Sequence, residues 1–462
     1  MSVIDALMEA CGPAHAREAS VADSVGGVMP GWVAAPADGD ELSAVLRIAA
    51  DEHLSVVASG AGTKLDWGAP PSTVDVLIDT ARLSGVYDHD PANELATIGA
   101  GTPLRAVRAA LAPAGQRLAL DVGSPGATLG GVIAINEAGP LRLAFGPPSD
   151  LIIGVRAGLA DGRMARQLPG LDLPRLMCGS FGTLGILAEA TVRVHPIPSG
   201  RAWVVRPVST PRDVQELTYA LLASSFAPVA IECDLSTAGG GVSRGGRGRG
   251  GAGGGGAGGG GAGGAGGGRR GGRGSGAGSG GGGASGGWTA SPSGPPTGEL
   301  AVLLEGASAL NRAEAVARIL GGGSTVADTP PVWWGRYPFG TDDVAVKISA
   351  PSNELFAVIY ALRDAAGVPV PVRGSAGVGV AYAALPAGLG AGRIDGVLTA
   401  ARAVMLGRGG GSCVVLRAPE ALRSQVDVTG PVPLTLTDQQ AKAALDPEGR
   451  MAPGRYPLNG LP

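Results

Sequence analysis

Glycine is distributed so unevenly along this chain of 462 residues that it limits where a folded core can lie. Of the 82 glycines, 32 fall between Gly239 and Gly287, where alanine is almost the only apolar residue. Such a segment cannot bury enough apolar surface to offset the conformational entropy lost on ordering. We therefore predict that residues 238–298 are a disordered insertion rich in glycine and arginine, and that the core is built from its flanks.

The flanks of this insertion have the pattern of buried strands. PVAIECDL precedes it and ELAVLLEG follows it, and each is a short apolar run bounded by polar residues, Gly or Pro. Because the entropic cost of closing a loop grows by only about 0.6 kcal/mol per doubling of its length, a host domain tolerates a long insertion. The insertion is predicted to lengthen a strand-to-strand loop.

Length and charge limit the class of protein. A chain this long exceeds the size at which a single core stops growing, so two or three domains are expected. Its 36 Lys and Arg residues are balanced by 39 Asp and Glu residues, giving a net charge of -3. That balance provides no overall basic field with which to bind DNA or an anionic membrane.

Cysteine usage and the amino terminus favour the cytoplasm. MSVIDALMEACG lacks the basic residues and apolar run of a signal peptide, and no segment has the roughly 20 apolar residues of a membrane span. We predict a cytoplasmic protein, which other subunits could hold at the inner face of the plasma membrane. No metal site is expected, because the cysteines occur singly, without CxxC or Cys/His clusters: Cys11, Cys178, Cys233 and Cys413.

The remaining sequence alternates helix-like and strand-like stretches. Glu41 to His53 has apolar residues at helical spacing and is followed at once by the strand-like LSVVASG. TVDVLIDT and ELATIGAG also have strand patterns, so an α+β arrangement is predicted for residues 1–200. After the insertion, NRAEAVARIL and SNELFAVIYALRDA are predicted helices, and VAVKIS and CVVLRAP are predicted strands.

Three separated segments of small residues are candidates for chemistry. Residues 59–68 (SGAGTKLDWG) follow a predicted strand, where glycine lets backbone N–H groups approach a phosphate. Residues 123–136 contain paired glycines in an apolar stretch, and residues 179–193 run from a glycine-rich turn into a strand. Each could alone be structural. The first segment has neither a GxGxxG nor a Walker A pattern, which argues against a nicotinamide Rossmann or P-loop site.

In this order, the three segments resemble the FAD-binding domain of the vanillyl-alcohol-oxidase or PCMH superfamily. The tail LDPEGRMAPGRYP resembles the element with which that superfamily returns from its cap domain to its flavin domain. The resemblance implies a two-part PCMH-type FAD-binding domain over residues 1–200 and an α+β cap domain over residues 201–430. Residues 431–462 would form a C-terminal segment returning to the FAD domain.

Within that superfamily, the chain is most similar to the FAD-binding E subunits of glycolate oxidases. The similarity depends on PGLDLPRLMCGSFGTLG, SCVVLRAPEALRSQVDV and the tail, and it covers nearly everything except the insertion. It implies oxidation of glycolate to glyoxylate, with electrons passing through flavin. The partners implied are a flavin-bearing D subunit and an iron-sulfur F subunit.

The resemblance also assigns binding residues. Relatives that attach flavin covalently have a histidine where this loop has Thr63 or Lys64, so the FAD is expected to be non-covalent. Two departures put flavin binding or its chemistry in doubt: residues 165–172 (ARQLPGLD) replace the usual KNVAGYD stretch, and SGAGTK replaces the commoner RGGGTK. The residues expected to cradle the pyrophosphate are Gly60, Ala61, Gly62, Thr63 and Lys64; those expected to line the ring system are Pro125, Thr128, Gly130 and Gly131. Gly185 and Ile186 would complete the pocket.

The catalytic groups are harder to assign. Oxidation of a 2-hydroxy acid needs a base for the hydroxyl proton and a cation for the carboxylate. Cap-domain cations that could hold a carboxylate, or be ordinary surface charge, are Arg336, Lys347 and Arg373; the histidines, each read mainly as structural or exposed, are His15, His53, His89 and His195. Trp333 and Trp334 could pack the cap core or form a pocket wall. With the catalytic base unknown, we expect the D subunit to perform the substrate chemistry.

Three alternatives stay open. The chain could be a stand-alone flavin oxidase or dehydrogenase of another hydroxy acid or of a sugar. It could be a non-catalytic assembly subunit whose flavin site has decayed. RNA binding through SRGGRGRGG and GGRRGGRGSG is the third, although no aromatic residue interleaves with these arginines before Trp288.

Overall fold

The computed structural model describes residues 1–235, 297–430 and 436–455. The disorder predicted for the insertion therefore concerns residues that lie, except for Thr297 and Gly298, outside the described part of the chain. The same holds for RNA binding by its arginines. Where the chain is described, helices and mostly antiparallel strands confirm the α+β class.

The amino-terminal layer is a small mixed sheet with two helices packed on it. Its strand order is β1-β2-β4-β3; β1 runs antiparallel to β2, while β2 and β3 both run parallel to β4. The elements are α1 (Val3–Cys11), β1 (Ala16–Glu18), β2 (Trp32–Ala34), α2 (Gly39–Asp51), β3 (Val56–Ser59) and β4 (Val76–Asp79).

A second sheet of five antiparallel strands packs beside the first, in the order β5-β6-β10-β8-β9, and β7 pairs separately with β11. The strands are β5 (Val86–Asp90), β6 (Leu95–Gly99), β7 (Gln116–Arg117), β8 (Ile152–Gly158), β9 (Met164–Ala165), β10 (Ile186–Arg193) and β11 (His195–Pro196). The helices are α3 (Leu104–Leu111), α4 (Leu129–Ala134), α5 (Arg142–Phe145), α6 (Pro148–Leu151) and α7 (Leu173–Met177).

The third sheet has eight antiparallel strands in the order β15-β12-β14-β13-β17-β18-β16-β19. Its strands are β12 (Arg201–Val208), β13 (Ala230–Leu235), β14 (Gly298–Glu305), β15 (Thr325–Ala327), β16 (Asp343–Ser349), β17 (Val372–Ser375), β18 (Val380–Pro386) and β19 (Ser412–Arg417). The remaining helices are α8 (Pro211–Leu222), α9 (Ala309–Leu320), α10 (Leu355–Ala366), α11 (Ala391–Gly407), α12 (Glu420–Arg423) and α13 (Leu436–Leu445). Short 3-10 turns occupy Val21–Asp23, Ala112–Ala114, Ala376–Val378 and Ala387–Leu389.

Helix α2 shows how local sequence sets these elements. The Asp38 side chain accepts hydrogen bonds from the backbone N–H groups of Asp40 and Glu41, which satisfies donors that the first turn leaves unpaired. Its predicted apolar stripe faces the core, as Leu42, Val45, Leu46 and Ala49 are all buried. The sequence prediction of a helix followed by strand β3 is therefore confirmed.

The eight-stranded sheet has two unlike faces. Alternate residues such as Cys233, Val302 and Ile348 pack with the helices into the largest apolar core. The residues between them point to the opposite face, as the two-residue period of a strand requires. That opposite face looks toward the first two sheets and carries unusually many polar side chains.

The place of the insertion is as predicted. Strands β13 and β14 are neighbours in the sheet and pair antiparallel, with Asp234 opposite Glu299. The residues between them therefore connect two adjacent strands, which agrees with the predicted position of the insertion.

The described part of the carboxyl-terminal segment lies on the first two sheets. Met451 bridges to Val56 beside strand β3, and the Lys442 ammonium donates to the Thr183 carbonyl at 2.8 Å. Among the described helices, none is both long and apolar enough to cross a bilayer.

Candidate functional site

The three small-residue segments meet at one cavity of about 820 Å³, which we call the first cavity. Its lining includes ten of the eleven residues expected to bind the cofactor: Gly60, Ala61, Gly62, Thr63, Lys64, Thr128, Gly130, Gly131, Gly185 and Ile186. Pro125 differs, since it is exposed in the turn before Thr128 and does not line the cavity.

Glycine is required here because two backbone segments approach each other closely. A Cβ atom at Gly60 would lie 2.2 Å from Oγ1 of Thr128, the residue that caps α4. A Cβ at Gly130 would lie 2.8 Å from the Cβ of Ala100. The cradle is thus formed by main chain. The N–H group of Gly130 donates to the Ala100 carbonyl at 2.7 Å, so the loop of residues 59–68 is the part that would offer N–H groups to a phosphate.

Arg455, in the carboxyl-terminal segment, also lines the first cavity and holds the loop of residues 59–68 in place. Its guanidinium, only 4 % exposed, donates to the carbonyls of Leu65 at 2.7 Å, Trp67 at 2.6 Å and Ala69 at 3.2 Å. The sequence motif of the tail includes Arg455 but does not predict this role for its side chain. A buried guanidinium that donates to three backbone carbonyls has no local sequence signature.

Lys64 differs from the other loop residues because its ammonium is already engaged. It lies 2.5 Å from Oε1 of Glu137 and 3.1 Å from the hydroxyl of Tyr337, which itself donates to Glu137 at 2.5 Å. Burial lowers the pKa of Lys64 to about 8, although Glu137 favours its charged form. The second carboxylate oxygen of Glu137 is buried without a hydrogen-bond partner and lies in the wall of the first cavity.

Tyr337 donates a hydrogen bond to Glu137 in the wall of the first cavity, and it also lines a second cavity of about 440 Å³. This second cavity lies between the segment after α4, including Gly139 and Arg142, and the polar face of the eight-stranded sheet. The polar side chains that line it are Arg142, Glu232, Trp333, Arg336, Tyr337, Arg373, Ser375 and Tyr382.

Strand register explains why charged groups collect there. Five side chains, which we call the polar row, lie directly opposite one another across five neighbouring strands: Glu299, Asp234, Arg373, Tyr382 and Lys347. Asp234 pairs with Arg373 at 3.0 Å, and Glu299 accepts from the indole of Trp333 at 2.6 Å. Asp234 and Arg373 therefore form an ion pair within the polar row.

The three cap-domain cations that could hold a carboxylate or be ordinary surface charge have different surroundings. Arg336 is exposed and lines the second cavity. Arg373 lines it too, but is paired with Asp234. Lys347 is buried and lines neither cavity, and burial, with Arg142 and Lys64 nearby, lowers its pKa to about 7.

Two further charged groups of the second cavity were missed from sequence. Arg142 begins the short helix α5, and its guanidinium donates to the Ala138 and Gly139 carbonyls. Glu232 lies on β13 with 7 % of its surface exposed. Burial raises the pKa of Glu232 to about 8, although the Ser375 hydroxyl and the positive charge of Arg142 both favour the ionised carboxylate.

The other candidates lie elsewhere or form the wall. His15, His53, His89 and His195 line neither cavity. His53 is exposed beside Glu448, and His195 packs edge-on against Phe145. Trp333 lines the second cavity, whereas Trp334 packs against Trp203 at a centroid distance of 6.3 Å. Within the described residues, no group of three or more His, Cys, Asp or Glu side chains could hold a metal ion.

The fold is similar to that of a solved structure, alkyldihydroxyacetonephosphate synthase. The two structures superpose with a TM-score of 0.65 at 14% sequence identity, over 98% of this chain and 85% of that chain. At such low identity the likeness shows the fold alone.

Two relatives show which sequences this chain resembles. A D-lactate dehydrogenase of Archaeoglobus fulgidus is 30% identical over 207 residues, 43% of this chain and 46% of that protein. Glycolate oxidase subunit GlcE of Escherichia coli is 32% identical over 178 residues, 37% of this chain and 50% of that protein. The chain thus spans about half the length of the curated relatives that it matches, and the E subunit is not singled out among them.

Residues 30–167 match a protein family described as "FAD binding domain". This range contains the loop of residues 59–68 and the glycine pair Gly130 and Gly131, which the structure brings to the first cavity. The residues present fit the cofactor, since small side chains and main chain form a cradle that a Cβ atom would fill. Residues 30–167 therefore form an FAD-binding domain, and FAD is the cofactor of this chain.

Proposed function

We propose that this protein is an FAD-dependent oxidoreductase that acts on the CH–OH group of a small 2-hydroxy acid. Glycolate, which would be oxidised to glyoxylate, is the first substrate to test. The observation that carries the proposal is the second cavity, in which Arg142, Arg336 and Arg373 surround a space adjoining the FAD cavity. The names of the relatives, a D-lactate dehydrogenase and a glycolate oxidase subunit, support the same substrate class.

In this proposal the first cavity binds FAD and the second cavity binds the substrate. Gly60, Gly62, Gly130 and Gly131 would hold FAD through the main chain, and bound FAD would accept the hydride that leaves C2 of the substrate. Arg336, exposed at the second cavity, would bind the substrate carboxylate, for which the planar guanidinium is well suited. Arg142 would place a second positive charge beside it.

The setting of the protein is proposed from the same resemblance. We infer that it works as one subunit beside a flavin-bearing subunit and an iron-sulfur subunit, in the cytoplasm or at the inner face of the plasma membrane. The GlcE relative supports a multi-subunit enzyme. Co-purification of a second flavoprotein and an iron-sulfur protein with the tagged chain tests this part.

Visible absorbance of the purified chain, and of any complex that co-purifies with it, tests the activity. The flavin spectrum is recorded before and after anaerobic addition of glycolate, D-lactate and L-lactate. Bleaching of the oxidised flavin by at least one acid supports the proposal. A flavin that stays oxidised with all three acids, but is reduced by dithionite, contradicts it.

A stand-alone dehydrogenase is the second candidate, because the charged second cavity belongs to this chain. Reduction of flavin in the isolated chain at the rate of the complex would favour it. Protein that is colourless and cannot be reconstituted with FAD would instead indicate a non-catalytic subunit.

A further inference from the structure

We propose that Glu232 is the base that takes the hydroxyl proton of the 2-hydroxy acid, so that this chain performs the substrate chemistry itself. The inference rests on the proposed function and goes beyond it, because it places the reacting hydroxyl in the second cavity. It differs from the expectation that a partner subunit performs the substrate chemistry.

The position of Glu232 is that of a functional group. It lies at the centre of β13, in the middle of the eight-stranded sheet, and its side chain lines the second cavity. Although only 7 % of the residue is exposed, its Oε1 atom has no hydrogen-bond partner. A buried carboxyl oxygen without a partner costs free energy, so a bound group that satisfies it in the cavity explains its presence.

The other acceptors in the second cavity are already committed. Tyr337 donates to Glu137, and burial raises the pKa of Tyr337 well above its ordinary value. Burial likewise raises the pKa of Tyr382. Neither phenol therefore ionises near neutral pH. Glu232 is the one carboxyl among the residues that line the second cavity in the described structure.

The charges around Glu232 suit an anionic substrate. Arg142 comes from the FAD side of the cavity, and Arg336 from the segment before β16. Both guanidinium groups can bind the substrate carboxylate while the substrate hydroxyl faces Glu232 on the sheet. The titratable and charged groups that face Glu232 or lie beside it are Asp121, Arg142, Asp234, Arg336, Tyr337, Arg373 and Tyr382.

The step balances as a two-electron oxidation. The carboxylate of Glu232 takes the proton from the C2 hydroxyl, and the C2–H bond breaks with its electron pair as that hydrogen leaves as hydride for the oxidised flavin. The C–O bond becomes a carbonyl, so the products are a 2-oxo acid, two-electron-reduced flavin and protonated Glu232. The base must be ionised to begin, and the pKa of Glu232 is raised by burial to about 8. Reduction should therefore speed up as pH rises through that value.

Stopped-flow flavin reduction compares wild type with Glu232→Gln at saturating hydroxy acid. We expect the reduction rate constant to fall about 10²–10⁴-fold in the variant, the usual loss for a general base. The wild-type rate should rise up to about pH 8, whereas the variant should show no such rise. FAD content should be equal in both, because Glu232 does not line the first cavity.

Glu314→Gln is the control, since Glu314 is a carboxyl exposed on α9 that lines neither cavity. It should keep the wild-type rate within about threefold. If no 2-hydroxy acid reduces wild-type flavin, the proposed function fails. If wild type is reduced and Glu232→Gln is reduced equally fast, the proposed function stands and Glu232 is not the base.

Proton-linked binding gives a readout that needs no turnover. Oxalate, a dianion of similar size, is titrated into the FAD-loaded protein at pH 8 in two buffers of different ionisation enthalpy. Because a nearby dianion favours protonated Glu232, we expect wild type to take up about half a proton more than Glu232→Gln. Equal uptake in both proteins, or no oxalate binding by wild type, overturns the inference.

Discussion

The ammonium of Lys64 and the carboxylate of Glu137 lie 2.5 Å apart, and their side chains are only 6 % and 2 % exposed. Lys64 comes from the loop before β4 and Glu137 from the segment after α4. Tyr337 approaches both from the part of the chain that forms the eight-stranded sheet. One buried ion pair therefore ties together the two halves of the FAD-binding domain and the cap.

Removing one member of this pair should destabilise the protein strongly. Lys64→Met or Glu137→Leu leaves a buried charge without its partner, which typically costs about 3–5 kcal/mol. The double variant removes both charges and should recover most of that loss. Urea unfolding of the four proteins measures the coupling. Losses that simply add in the double variant would show that the pair contributes no coupling energy.

Substitution of Gly60 should weaken FAD binding. A Cβ atom 2.2 Å from Oγ1 of Thr128 must push the loop away from α4, so we expect Gly60→Ala to raise the FAD dissociation constant at least about tenfold. Fluorescence titration of deflavinated protein measures this constant. The comparison is Gly396→Ala in helix α11, where the Cβ meets no atom within 4 Å and should add up to about 1 kcal/mol of stability. Unchanged FAD affinity in Gly60→Ala would contradict the close approach.

The first cavity was predictable from sequence because its close backbone packing requires small residues, which are visible in the sequence. Main chain that closely approaches other main chain needs small residues, and small residues after a strand are visible as a pattern, as at Gly60 and Gly130. Pro125 lies in the same segment as Gly130 but is exposed in a turn. A sequence motif identifies the segment but does not specify the direction of each side chain.

The second cavity was not found from sequence, although a signal existed. Strands β13, β16 and β17 carry charged residues among apolar or small neighbours, as with Glu232, Lys347 and Arg373. Period-two alternation places such residues on one face of a sheet. Which of them become neighbours depends on strand order and register, which join residues far apart in sequence. The order β13-β17-β18-β16 cannot be read from any local pattern.

Glu232 should make the stability of the protein depend on pH. The pKa of this carboxyl is raised in the folded protein to about 8, so between about pH 4.5 and 8 the unfolded chain releases a proton that the folded protein keeps. Folding free energy is therefore lost as pH rises through this window. Glu232→Gln cannot ionise, and should be more stable than wild type by about 2–4 kcal/mol at pH 9 and about equal at pH 4.5.

Urea unfolding at pH 4.5, 7 and 9 measures the difference between Glu232→Gln and wild type. Glu314→Gln, at an exposed position of α9, serves as the control and should stay within about 0.5 kcal/mol of wild type at each pH. A difference between Glu232→Gln and wild type that does not change with pH would show that Glu232 is not held protonated by burial.

FAD should leave the protein when it is denatured by acid. Thr63 and Lys64 occupy the loop where covalently flavinylated relatives carry histidine, and no His, Cys or Tyr lines the first cavity in the described structure. After precipitation with acid, all flavin absorbance should be in the supernatant. Yellow colour that stays with the washed pellet would demonstrate a covalent bond and refute non-covalent binding.

Arg455 should control both the shape of the flavin loop and its affinity for FAD. Arg455→Met removes three hydrogen bonds from a buried guanidinium and leaves the carbonyls of Leu65, Trp67 and Ala69 without that donor. Bonds from charged donors contribute about 1.5–3 kcal/mol each before the loop relaxes, so we expect a net loss of about 2–4 kcal/mol in stability. The FAD dissociation constant should rise at least about tenfold, because the loop that cradles the cofactor loses its tether.

Arg455→Lys separates the charge of this side chain from its geometry. A lysine keeps the positive charge but reaches fewer of the three carbonyls, so it should restore only part of the stability and affinity. Arg163→Met, which removes an exposed arginine paired with Asp161, should change neither quantity measurably. If Arg455→Met binds FAD as tightly as wild type while losing stability, the tail supports the fold alone and the loop does not need it to bind the cofactor.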